Sequence, residues 1–265
     1  MHHTRIAGLF AALLLISPRV VHAQATRDQS RLVVGVSAGW IGGVDLWAVP
    51  NQPILAGGQQ QDIFGLERRV RSNLTFIGQG TFFPSDHIGI SGEVSYLGLG
   101  TTDQCLFVPS ANDPFNQAAC RMINGDDRSA SAVAITGGVV LRPLSRSEIQ
   151  PYARLMVGVA LVPRSTIPVS AVLGIREDEV LQVYLENGDK DARPTGVVAF
   201  GFSTAPKSGY QLRLEGRLTA VQLLTVTGPT ASQNSVPPTR NVTKVLPSIV
   251  VGMDIVLEKR RGRRY

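Results

Sequence analysis

Gln211-Leu212-Arg213-Leu214-Glu215-Gly216-Arg217-Leu218-Thr219-Ala220 is the stretch on which the reading of this chain turns. Leu212, Leu214, Leu218 and Ala220 fall on even positions, and Gln211, Arg213, Glu215, Arg217 and Thr219 on odd ones. A strand turns successive side chains to opposite faces, so this period of two is that of a strand with one greasy and one charged face. The charged face carries both signs near mid-strand.

Seven further stretches repeat the pattern. Leu32, Val34, Val36, Ala38 and Trp40 alternate with Gly35, Ser37 and Gly39. Between Val70 and Phe82, Val70, Leu74 and Phe76 oppose Arg69, Arg71, Asn73, Thr75, Gln79 and Thr81. Ile88, Ile90, Val94 and Tyr96 oppose Ser91, Glu93 and Ser95; Val133, Ile135, Val139 and Leu141 oppose Ala134, Thr136 and Gly138. Leu155, Val157, Val159 and Leu161 face away from Arg154, Gly158 and Ala160. Val198, Phe200 and Phe202 alternate with Ala199, Gly201 and Ser203, and Ile249, Val251, Met253, Ile255 and Leu257 with Gly252, Asp254 and Glu258. Eight antiparallel strands are predicted, the first beside the last. Most are longer than the five or six residues usual in globular proteins and long enough to cross a bilayer at a tilt.

The connections alternate in length. Short turns are read at Pro84-Ser85-Asp86, Pro143 to Glu148 and Pro206-Lys207-Ser208-Gly209. Long loops are read at Ala48 to Glu67, Thr101 to Arg128, Pro163 to Pro194 and Thr225 to Lys244. Outer-membrane barrels have short periplasmic turns, longer outer loops and an even strand count. In a soluble barrel the apolar face points inward, and in a membrane barrel outward. Arg71, Glu93, Arg154, Arg213, Glu215, Arg217 and Asp254 all fall on the polar face with both signs present, as a narrow lumen requires. Lys, the usual residue of a water-facing surface, occurs after residue 23 only at Lys190, Lys207, Lys244 and Lys259. A solvated outer face is the alternative for the same charges. Phe82, Phe83, Tyr152 and Tyr210 beside the short turns are expected to form an interfacial girdle.

The 265 residues are 43% apolar, too greasy for a disordered chain, and the 17% charged share is low for a soluble domain. With 27 Gly and 16 Pro the chain is no helical bundle. The net charge of +6 sits largely at the two ends, so no nucleic-acid partner is expected. Arg5, the apolar run Ile6 to Ile16 and Val21-His22-Ala23 have the order of a cleavable signal peptide over 1–23, cut after Ala23. A transmembrane helix, the alternative, needs about 20 apolar residues. Export makes a Cys105–Cys120 disulfide the economical reading of the two cysteines, with two free thiols as the alternative.

By architecture, the whole chain after residue 23 resembles the small eight-stranded outer-membrane β-barrel superfamily of the OmpA transmembrane domain and OmpX-like proteins. Gln150-Pro151-Tyr152-Ala153 opening strand five is one local match. Val250-Val251-Gly252-Met253-Asp254-Ile255-Val256-Leu257 is the other; it is similar to the C-terminal signal read by the barrel-assembly machinery, with Gly252, Ile255 and Leu257 at its key positions. Ile255 and Leu257 stand where the family has aromatics, and a basic tail, 258–265, follows. The resemblance implies an all-β, eight-stranded up-and-down transmembrane barrel over 24–257, a monomer exported to the outer membrane of a Gram-negative bacterium. Its lipid would be a partner, and its loops would be free to meet an extracellular one.

Enzymes exist on this scaffold. Here His87 is the only His after residue 23, beside Asp86, and no third group is evident, so no catalytic residue, cofactor or metal site is assigned. The acidic loop Glu177, Asp178, Glu179, Glu186, Asn187, Asp189 and Asp191 is read as solvated, with a divalent-cation site as its alternative. Eight strands leave an interior just wide enough to be filled by side chains, which disfavours an open pore. A soluble barrel binding a small apolar ligand is the second reading, and a lipid-modifying outer-membrane enzyme the third.

Overall fold

The computed structural model describes residues 29–55, 61–162, 167–172, 180–185, 191–206, 208–231 and 233–260. The expected signal segment and all of the acidic loop but Asp191 lie outside them. In chain order the described elements are β1 (Gln29–Ile41), β2 (Val44–Leu55), β3 (Gln61–Val70), β4 (Asn73–Phe82), β5 (Ile88–Gly98) and β6 (Thr101–Val108). Helix α1 (Pro114–Ile123), β7 (Asp127–Arg128), β8 (Ser131–Leu141) and β9 (Ile149–Val162) follow. Then come β10 (Val169–Val172), β11 (Val180–Tyr184), β12 (Asp191–Thr204), β13 (Tyr210–Val226) and β14 (Thr239–Arg260).

Eight of these strands close a barrel in the order β1-β14-β13-β12-β9-β8-β5-β4, with β4 returning to β1 and every pair antiparallel. The ring is the predicted eight-stranded up-and-down barrel. The alternation sets its faces. Val139, Val157, Leu214 and Val251 point outward and are 45%, 68%, 51% and 60% exposed, whereas Arg213, Glu215 and Arg217 point inward and are buried. Gly252 is also on the inner face, where a side chain would collide with the Ser37 hydroxyl and the Val36 carbonyl of β1.

The short turns, Gln29 and Arg260 share one end of the barrel. At the other end much of the described part of the long connections is sheet and helix, while 227–231 and 233–238 between β13 and β14 are irregular. β2, β3, β6 and β7 form a four-stranded sheet, β10 and β11 a hairpin, and β13 and β14 run on past the barrel. Trp47, Phe64, Leu66, Val183 and Tyr184 of this cap join Ile41, Leu97, Ala134, Ala160 and Leu246 of the upper lumen in one apolar core. Arg68 is fully buried in the cap; it pairs with Asp103 at 2.5 Å, donates to the Pro168 carbonyl and stacks on Trp47.

Two expected boundaries move. Val70 to Phe82 is not one strand: β3 ends at Val70, β4 begins at Asn73, and the break puts Arg71 at the junction of barrel and cap. There the Arg71 N–H donates to the Gly100 carbonyl, and its exposed guanidinium pairs with Asp127, so it is not a lumen residue. At the other end of the chain β14 runs to Arg260, pairing with β1, so Glu258, Lys259 and Arg260 belong to the barrel rather than to a tail.

Cys105 on β6 and Cys120 on α1 are bonded, their Cα atoms 5.4 Å apart. Closing a loop of this length contributes about 3 kcal/mol in the chain-entropy model. The helix is fixed a second time by Asp62 on β3. This buried carboxylate accepts the N–H groups of Ser110, Ala111, Asn112 and Asp113 at 2.8–3.1 Å and the Asn116 amide at 3.1 Å. Asn112 adopts a φ of 57° within this turn, a conformation Asn tolerates better than most residues. Asp113 then caps α1 by accepting the Phe115 N–H, with Pro114 at the first turn.

Burial alone would raise the Asp62 pKa, but the backbone N–H groups and the Asn116 amide outweigh it and lower the carboxyl from 3.8 to about 2. A lowered folded pKa means that the ionised form stabilises the cap above the unfolded value, a contribution lost as pH falls through the folded one. The cap is therefore expected to become protease-sensitive as pH drops from about 4 toward 2, ahead of the barrel. Asp62→Asn should open the cap to protease at neutral pH, at a cost of at least ~2 kcal/mol. A variant as resistant as the parent, with the same acid transition, would contradict this role.

Candidate functional site

The odd positions of β13 send Arg213, Glu215 and Arg217 into the lumen, where β5 supplies Glu93, β9 Arg154 and β14 Asp254. Arg154 bridges Glu93 and Glu215, both at 3.1 Å. Arg217 closes the square from the other side, 2.5 Å from Glu93 and 3.1 Å from Glu215. Arg213 lies 3.5 Å from Asp254 and donates to the Ser37 hydroxyl. Three guanidinium groups thus face three carboxylates. The surrounding polar groups complete the net: Tyr152 donates to Glu215 at 2.8 Å, Arg154 to the Gln79 carbonyl oxygen at 2.7 Å, and the Gln79 amide to Asp254 at 3.3 Å.

The network is closed above and below. Above it the lumen is filled by the apolar core shared with the cap. Below it Val33, Phe83, Val140, Tyr152 and Val256 form a second apolar layer. Phe83 and Tyr152 therefore turn inward instead of joining the girdle, because each falls on the lumen parity of its segment; Phe82, Phe202 and Tyr210 are outward aromatics at this end. Arg142 ties the rim across the opening. Its guanidinium stacks 3.9 Å from the Phe83 ring centroid and donates to Ser30 and to the Asp86 carbonyl. A lumen cavity of about 40 Å³ lies among Gln79, Arg154, Arg213 and Asp254. That is room for a few water molecules.

Of the seven charges read from the sequence, six meet here; Arg71 does not. The sequence reading missed Gln79, Tyr152 and Ser37 as partners, although their inward parity was visible. His87 and Asp86 do not form a dyad. The His87 Nδ1 lies 3.1 Å from the Arg142 carbonyl oxygen, and the Asp86 carboxylate pairs with Arg146 at 3.1 Å. Ile255 and Leu257 point outward, 46% and 61% exposed, and Gly252 inward. Among the described residues no cluster of three or more His, Cys, Asp or Glu is placed to hold a metal ion.

No protein-family model and no curated protein matches the chain. Among solved structures it is similar to the outer membrane protein OprG from Pseudomonas aeruginosa, at 10% identity over 86% of this chain and 97% of that one, TM-score 0.47. It is similar to Neisserial surface protein A at 10% identity, over 85% and 96% of the two chains, TM-score 0.42. Ail, the attachment invasion locus protein of Yersinia pestis, gives 10% identity over 85% and 98%, TM-score 0.38. These likenesses concern the fold.

Removing one partner of a buried charge set strands the rest, which costs about 3–5 kcal/mol. Arg154→Met should cost that much, because Glu93 and Glu215 would share Arg217 alone. The expected readout is a lower denaturant midpoint for barrel unfolding. Arg71→Met, outside the network, should leave the free energy of unfolding within about 0.5 kcal/mol of the parent. Equal effects of the two substitutions would contradict the placement of the network.

Proposed function

We propose that this chain is an integral outer-membrane barrel of a two-membrane bacterium, with a sealed lumen and no catalytic role, whose cap is the surface offered to an extracellular partner. One observation carries the reading: all eight barrel strands present an apolar outer face, with residues such as Val36, Ile90, Val157, Leu214 and Val251 strongly exposed, around a charged interior. Exposed apolar surface on this scale marks a membrane or protein interaction site. A soluble barrel that carries an apolar ligand needs the reverse arrangement, a greasy cavity inside a polar wall.

With an even strand count both ends of the barrel fall on one side, and short turns are periplasmic in such proteins. On that rule Gln29, Arg260 and the turns at Pro84, Pro143 and Pro206 face the periplasm. The cap, with its Cys105–Cys120 bond, then faces outward, where an oxidising milieu keeps the bond formed. Export by a signal peptide over 1–23 fits this location. A structural or surface-interaction role is the function this arrangement supports.

The test is insertion. Protein refolded with phospholipid vesicles should float with them and migrate faster on gels unheated than boiled. Ile255→Asp, a charge on the lipid face, and Gly252→Val, a clash with β1, should each abolish the fast-migrating form. Truncation after Arg260 should preserve it. Protein that stays in the aqueous phase, or indifference to Ile255→Asp, would overturn the membrane reading.

A further inference from the structure

At the short-turn end the outward surface of the barrel has a dent. One register row crosses four strands there: Ile88 of β5 pairs with Leu141 of β8, Leu141 with Ala153 of β9, and Ala153 with Phe200 of β12. Three of these side chains are large, and Ile88, Leu141 and Phe200 stand 49%, 50% and 64% exposed. Ala153 is the low point between them. The next row toward the membrane centre, Ile90, Val139, Leu155 and Val198, has no small residue. Toward the turns, Pro151 and Pro143 shape the floor and the rim. The result is a groove of about 520 Å³ with an almost wholly apolar lining.

The mouth of the groove is polar. His87 is exposed there, its Nδ1 held by the Arg142 carbonyl. The Asp86–Arg146 ion pair lies next to it, with the Arg146 side chain 60% exposed. An apolar slot inside the membrane belt, opening at its edge on an imidazole and a guanidinium, matches an amphiphile with an acidic head and a hydrocarbon chain. We infer that this groove seats one acyl chain of a phospholipid from the periplasmic leaflet, with its phosphate at the His87–Arg146 mouth. The inference rests on the membrane reading above and adds to it a specific site on an otherwise general lipid surface.

The experiment uses the full chain refolded into phosphatidylethanolamine and phosphatidylglycerol vesicles containing a phosphatidylethanolamine with a photoreactive acyl chain. After irradiation, peptides are mapped by mass spectrometry. Label on the Ile88, Leu141, Ala153 and Phe200 row should reproducibly exceed that on the Val36, Met253 and Leu212 row of the opposite wall. Ala153→Phe fills the groove and should bring the two rows level, while a Val157→Phe control on the same strand keeps the excess. The parent protein alone suffices to decide, so a variant that fails to fold does not blunt the test. Protein that inserts, shows heat-modifiable migration and labels both rows evenly overturns the groove and leaves the membrane reading intact. Protein that never enters the vesicles overturns both.

Discussion

Glu93 and Glu215, held between Arg154 and Arg217 in the barrel lumen, are the constraint on which the rest of this structure depends. Four charges taken out of water are costly unless each is met by its opposite, and breaking such a set is worse than never burying it. The set requires β5, β9 and β13 to face one another across a closed ring, and it closes only in a register that brings all three to one level. A slip of one residue in any of these strands would move its charge from lumen to lipid, so the ion pairs and the greasy exterior specify the same register.

The layers above and below follow from that centre. Because the lumen charges balance among themselves, the remaining interior can be apolar, and it is filled at both ends. The upper filling does not stop at the barrel rim but continues into the cap, so barrel and cap share a core. The cap in turn is fixed by polar devices of its own: Arg68 against Asp103 and Trp47, Asp62 gathering the turn before α1, and the bond between Cys105 and Cys120. The described strands and helix of the cap are thereby a folded surface. A partner of the kind proposed would meet a shaped face there, without the entropy cost of ordering free chain.

The barrel was legible in the sequence because its signal is simple. Each strand has one apolar face, and period two survives single substitutions. The faces were legible because a run such as Arg213, Glu215 and Arg217 between leucines is compatible with only one side each. The cap was not legible, and its residues show why. β2 carries Pro50 and Pro53 and a register shift between Val49 and Gln52, so its alternation is broken where a strand would be sought. β3 has a buried Arg68 at a core position between Leu66 and Val70, which reads as a polar break. α1 is a ten-residue helix in a stretch that looks like loop until Asp62, distant in sequence, is seen to hold its start. Arg71 was misplaced for a related reason: the period-two pattern ran through Arg71 and Ser72, and nothing local marks the junction at which barrel gives way to cap.

The central claim is that greasy and charged faces are inverted relative to a soluble barrel, with neighbours on one strand in opposite media. The most direct measurement places a single fluorescent label at Leu214 and, separately, at Val157 and at the exposed cap position Leu106, in protein reconstituted into vesicles with brominated acyl chains. The account predicts strong quenching by the brominated chains and none by aqueous iodide at Leu214 and Val157, with the opposite result at Leu106. Iodide quenching at Leu214 and Val157, with no effect of the brominated lipid, would contradict it.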